Sequence, residues 1–88
     1  MTKPIWFVYV LYSLKIGKLY TGITTDPHRR ITEHNTSNSK GAKATRAGRP
    51  WQIVKIERVG SKSHALKREA ALKKMKRQDK LLFVGLSA

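Results

Sequence analysis

The 88-residue chain contains no cysteine. That absence excludes disulfide staples, thiolate zinc sites and thiol nucleophiles, and it suits a reducing compartment. Acidic residues are nearly as scarce: five Asp and Glu stand against nineteen Lys and Arg, a formal charge of +14. The five acids, Asp26, Glu33, Glu57, Glu69 and Asp79, are scattered, so a carboxylate-rich two-metal centre is not expected. Long hydrophobic runs are also missing. The apolar stretch from Ile5 to Leu11 is far shorter than the roughly 20 residues of a membrane-spanning helix. No small-residue cleavage site accompanies it, so a cytoplasmic protein without an export signal is expected. Room exists for one small domain, 1–88, expected to act as a monomer without a separate substrate domain.

What is present is 40% hydrophobic residues, enough for a folded core rather than a disordered basic tail. So large a positive charge on so small a body attracts polyanions, and nucleic acid is the leading expected partner. The cations spread from Lys3 to Lys80 instead of lining one amphipathic helix, which argues against a membrane surface.

Ile5 to Tyr12 is β-branched and aromatic without Gly or Pro, the composition of a strand covered on both faces. A turn around Gly17 leads to a second strand, Leu19 to Thr24, giving an antiparallel hairpin. Asp26 followed by Pro27 is a helix start, with that helix running to about Asn35. Thr36 to Gly48 has scarcely any large apolar residue and reads as an exposed loop or short helix. Pro50 to Val59 reads as a third strand ending at Gly60. Ser61 or Ser63 then caps a helix to about Met75, and Lys76 to Leu82 either continues it or forms a second short helix. The order ββαβα(α) implies an α+β domain: a small three-stranded antiparallel sheet flanked by helices.

Arg30 and His34, four apart on a helix, share a face and can meet one ligand or simply form a solvated basic surface. On the later helix, with Ala65 at zero, Glu69 falls near about 40°, between Leu72 at about −20° and Leu66 at about 100°. A carboxylate in that apolar arc needs a salt bridge or a metal ion. Tyr9, Tyr20, Tyr12, Trp6 and Trp51 read individually as packing residues. His28, His34 and His64 have no recognised metal spacing. A single carboxylate, substrate phosphate and water can nonetheless hold Mg²⁺, so a one-metal design fits this composition.

Phe7-Val8-Tyr9, then Tyr20-Thr21-Gly22, then Arg30, His34 and Glu69 together resemble the GIY-YIG nuclease signature in order and spacing. With Gly41-Ala42-Lys43 and the 65–69 helix segment, the chain looks like the stand-alone bacterial YhbQ/YazA-type proteins. The resemblance implies the GIY-YIG fold and divalent-metal-dependent hydrolysis of phosphodiesters, with Mg²⁺ or Mn²⁺ as cofactor and DNA ahead of RNA as substrate. It implies that Tyr9 and Tyr20 lie beside the scissile phosphate, Tyr9 as general base. Arg30 would stabilise phosphate charge, Glu69 hold the metal and His34 assist. Nearby cations or the metal ion are expected to favour the Tyr9 phenolate. Lys43, Arg46 and Arg49 are expected to grip the nucleic-acid backbone. Phe7 replaces the signature's leading glycine, Thr21 its second isoleucine, and no asparagine follows Glu69.

Overall fold

The computed structural model describes residues 3–86. At its centre is β1 (Trp6–Ser13), hydrogen-bonded antiparallel to β2 (Leu19–Thr24) on one side and β3 (Trp51–Gly60) on the other, in the order β2-β1-β3. The nearly continuous apolar sequence of β1 follows from that place, because both of its faces are covered. Val8 and Val10 meet Ala65 and Leu72 of α2 (Lys62–Lys74), with Phe83 of α3 (Arg77–Phe83) beside them. Tyr9 and Leu11 point the other way, to Trp51 and to Ile31 of α1 (Pro27–Thr36). The alternation of one strand thus separates an aliphatic core from an aromatic one. Val8, Val10, Leu11 and Leu72 are essentially fully buried, each stabilising the fold by about 1.5 to 3 kcal/mol.

Local chemistry sets the element ends. The Asp26 side chain accepts from the Arg29 amide at 3.2 Å, with Pro27 at the first helical position where no N–H is needed. Ser61, rather than Ser63, caps α2 through the His64 amide. Met75 is extended at ψ 142°, so α2 stops there and α3 is a separate helix. In the hairpin, Gly17 takes a φ of 69° that glycine adopts without penalty. Buried Ser13 accepts from the Lys15 and Ile16 amides and donates to the Gly48 carbonyl, joining this turn to the segment before β3. Among the described residues, no helix is long and apolar enough to cross a membrane.

Two expectations need correction. Leu66 is 46% exposed, so the buried face of α2 is Ala65 and Leu72, and the arc drawn through Leu66 is too wide. The segment from 36 to 48 has a short helix, one of its two expected forms, in the 3₁₀ turn Lys43–Thr45, but it is not simply exposed, since Gly41, Thr45 and Gly48 are buried. Small residues achieve this by close approach. A Cβ on Gly41 would lie 2.5 Å from the Glu33 carbonyl oxygen, and one on Gly48 would strike the Trp51 ring. Polar contacts replace apolar burial here, with Trp51 Nε1 donating to the Thr45 carbonyl at 2.6 Å.

Candidate active site

The aromatic face of the sheet collects the chemistry. Tyr9 sits opposite Gly22 in the β1–β2 register, and its ring lies across that glycine. A Cβ at position 22 would stand 2.5 Å from the phenol oxygen and 2.7 Å from Cζ. Gly22 has no positive φ, so its role here is space rather than backbone freedom. Tyr20, opposite Leu11, shares the same face. Ile31 docks α1 onto this face and brings His34 against both tyrosines, with ring centroids 5.8 Å from Tyr9 and 5.1 Å from Tyr20. Tyr9 and Tyr20 are 6.4 Å apart between centroids.

A buried line of hydrogen bonds leads away from Tyr9. Its hydroxyl lies 2.7 Å from His34 Nε2, His34 Nδ1 lies 2.9 Å from Thr45 Oγ1, and the Thr45 hydroxyl donates to the Ala42 carbonyl at 2.7 Å. His34 and Thr45 have no exposed surface. Burial pushes the Tyr9 phenol up to about 12, against the opposing pull of Arg30 and with help from Tyr20 and Glu69. Burial also lowers His34 to about 4, aided by the positive charges of Arg30 and Arg49 and opposed by Glu33. Both groups are therefore neutral near pH 7. Of the two influences expected to favour a phenolate, cations and a metal ion, the cations alone do not suffice: desolvation outweighs them.

Arg30 lies beside the phenol. Its guanidinium donates to Glu33 Oε1 at 3.1 Å and to the Lys40 carbonyl. Burial works against its charge, yet Glu33 and Tyr9 together raise its pKa. Glu69 comes from the opposite helix layer, half-buried on α2 between Ala65 and Leu72. Its carboxylate pairs with Lys73 Nζ at 3.5 Å, and its charge is felt at Tyr9. Lys73 is 55% exposed, so this pair holds the carboxylate only weakly. Tyr20, Arg30 and His34 thus lie around the Tyr9 phenol, and Glu69 reaches it from the other layer only as the weakest of the charge effects on it.

The three cations assigned to backbone grip divide. Lys43 is exposed on the 3₁₀ turn. Arg46 donates to the Asn38 carbonyl. Arg49 is a strut for the end of α1: it donates to the His34 carbonyl at 2.6 Å, the Ser37 carbonyl at 2.9 Å and Asn38 Oδ1 at 3.0 Å. Sequence reasoning passed over Thr45, Gly22 as a space-maker, and Asn35. The last bonds the Trp51 amide at 2.7 Å and the Trp51 carbonyl at 3.0 Å, as a neighbouring strand would. Only the Gly22 role had a readable signal, its register opposite Tyr9.

A divalent ion fits the donor chemistry in one way. Among the described residues no three His, Cys, Asp or Glu side chains converge, and both His34 ring nitrogens are engaged. Glu69 is a hard oxygen donor whose charge is felt at Tyr9 and whose ion-pair partner is an exposed lysine, the minimum a Mg²⁺ ion needs when phosphate and water complete its shell.

Comparison with known proteins identifies the family of the chain. The chain is 51% identical over 73 residues to a UPF0213 protein of Desulfotalea psychrophila, covering 83% of this chain and 64% of that one. A UPF0213 protein of Streptococcus agalactiae is 44% identical over 84 residues, covering 96% and 92%. The solution NMR structure of a UPF0213 protein from Bacillus halodurans superposes with a TM-score of 0.56 at 39% identity, covering 91% and 82%. That of an E. faecalis protein gives 0.59 at 38%, covering 93% and 85%. Residues 5–82 match the model of the GIY-YIG catalytic domain, and the chain belongs to that family, a nuclease superfamily.

Proposed function

We propose that this protein is a divalent-metal-dependent endonuclease that hydrolyses phosphodiester bonds in DNA, with single-stranded or branched repair intermediates as its substrates. The observation that carries the reading is the gathering of Tyr20, Arg30, His34 and the charge of Glu69 around the buried Tyr9 phenol. Electrostatic binding alone requires no carboxylate within so cationic a surface.

In this reading the backbone phosphate enters beside Tyr9 and Tyr20, drawn by the +14 charge. Arg30 presents N–H donors to the phosphate oxygens and stabilises the charge that grows on them. Tyr9 takes the proton of the attacking water. Its high pKa makes it a poor phenolate in the resting protein but a good acceptor once its own proton has somewhere to go. Glu69 would hold Mg²⁺ or Mn²⁺, which when bound neutralises charge at the leaving oxygen. Lys43 would contact neighbouring phosphates without reading bases.

A non-catalytic DNA- or RNA-binding module is the second reading, and the neutral, buried state of Tyr9 favours it. Single-turnover cleavage of labelled single-stranded, duplex and branched DNA, with Mg²⁺ or a chelator, separates the two. Glu69→Gln should abolish cleavage while leaving affinity unchanged or slightly higher, since it removes one negative charge. Cleavage at the wild-type rate would end the metal-holding role of Glu69, and a wild type that cuts no substrate would leave the binding module.

A further inference from the structure

Thr45 has no assigned role, yet it is completely buried and its hydroxyl touches the far side of His34. Three protons are shared along the line Tyr9–His34–Thr45–Ala42, and hydrogen-bonding capacity decides where each one sits. A carbonyl oxygen only accepts, so the contact between Thr45 and Ala42 is Thr45 O–H donating. The Thr45 oxygen then has lone pairs but no proton left for His34. Nδ1 must therefore carry the ring proton and donate to Oγ1, which leaves Nε2 a bare acceptor facing the Tyr9 hydroxyl. All three protons find acceptors. The reverse arrangement has Thr45 donating to Nδ1 and Nε2–H donating to Tyr9. It leaves the phenol proton without an acceptor among the described side chains, because Arg30 beside it is purely a donor.

We infer that Thr45 is a positioning residue: its hydroxyl oxygen holds His34 in the Nδ1–H tautomer, so that Nε2 stands ready to receive the Tyr9 proton. The chemical consequence rests on the nuclease reading above. As water attacks phosphorus, its proton passes to the Tyr9 oxygen while the Tyr9 proton passes to His34 Nε2. The new P–O bond forms from the water oxygen, and the bond to the leaving oxygen breaks with its electron pair. His34 is left as imidazolium; the relay then runs back, Nε2–H returning its proton to the Tyr9 oxygen as Tyr9 gives one to water at the site, while the leaving oxygen takes one up. An isolated neutral imidazole prefers the opposite, Nε2–H form, in which this transfer is blocked. The low pKa of His34 keeps the ring neutral at pH 7, which is the state in which tautomer choice matters.

Two measurements on the full chain test this. In ¹⁵N-resolved NMR of the His34 ring, wild type should show a protonated Nδ1 and an unprotonated Nε2. Thr45→Val keeps the shape and the backbone bond from the residue 45 amide to the Ala42 carbonyl but removes the acceptor. It should populate the Nε2–H form, whereas Thr45→Ser should restore the wild-type spectrum. Where cleavage is measured, Thr45→Val should lower kcat on the order of 100-fold with KM nearly unchanged, and Thr45→Ser should recover most of it. An Nε2–H ring in wild type overturns the inference, as does a Thr45→Val ring with the wild-type tautomer. The spectra need no turnover, so a failed nuclease reading and a failed role for Thr45 are told apart. If Thr45→Val does not fold, the wild-type and Thr45→Ser spectra still decide.

Discussion

Gly22→Ala is the sharpest probe of how the site is built. The new methyl would lie 2.5 Å from the Tyr9 oxygen and 2.7 Å from Cζ, about 1 Å inside ordinary contact. The ring cannot simply withdraw. It is rooted in the central strand, bonded to His34 at 2.7 Å and flanked by Tyr20. Overpacking of this kind costs about 1 to 3 kcal/mol, and losing the Tyr9–His34 bond adds about 1. The expected destabilisation is roughly 2 to 4 kcal/mol, or a fall in Tm of order 10 to 20 °C for a chain this small. Because Gly22 has no positive φ, alanine is intrinsically acceptable there and should even restrict the unfolded chain slightly. In a Tyr9→Ala background the same substitution should therefore cost nothing or stabilise by about 0.5 kcal/mol. Urea melts of the four proteins give the coupling energy directly. A cost below about 0.5 kcal/mol in the wild-type background, or an equal cost in both, would refute the claim that Gly22 exists to admit the phenol.

Four further outcomes follow from the geometry. Thr21 Oγ1 is buried without a hydrogen-bond partner on the aliphatic face, so Thr21→Val should raise stability by about 1 kcal/mol in chemical denaturation. His34, faced by Tyr9, Arg30, Glu33 and Arg49, has its pKa depressed from 6.5 to about 4, so the unfolded chain binds the extra proton between those values. Stability should fall by about 3 kcal/mol as pH drops from 7 to 4, and His34→Gln should lack the part of that slope between pH 6.5 and 5. Arg49→Ala should lower stability by about 1 to 3 kcal/mol through the loss of its bonds to the end of α1. Lys43→Ala should leave Tm unchanged and reduce the salt dependence of nucleic-acid binding by about 0.7 to 0.9 in slope.

The elements themselves were legible because their signals are local. Asp26-Pro27 starts a helix by its own chemistry, and the apolar run of β1 announces a strand covered on both faces. Tyr9, Tyr20, Arg30, His34 and Glu69 were legible as a spaced set, although each alone reads as packing or surface charge. The protonation of the site was not legible. Counting cations suggests a phenolate, whereas the protein buries Tyr9 under His34 and α1, and desolvation follows from tertiary packing that no spacing reports. The structural role of Arg49 was hidden for a related reason. Its charge was visible, but its neighbours Ser37, Asn38 and the His34 carbonyl are set by how the chain turns after α1.

That turn shows why a polar, glycine-containing segment can lie against the interior without apolar side chains to bury. Every backbone group brought inside must be satisfied, and here side chains from other positions do it: Arg49 for His34 and Ser37, Trp51 for Thr45, Ser13 for Gly48. Such contacts are directional where apolar ones are not, so the segment is held in one arrangement rather than merely held down. A hydroxyl at position 45 can then meet a particular ring nitrogen at 2.9 Å, which loose packing would not ensure. The same bonds make the arrangement fragile. It contributes little hydrophobic burial, and a change at Trp51 or Ser13 should disturb His34 without touching it, while one at Arg49 acts through the His34 carbonyl.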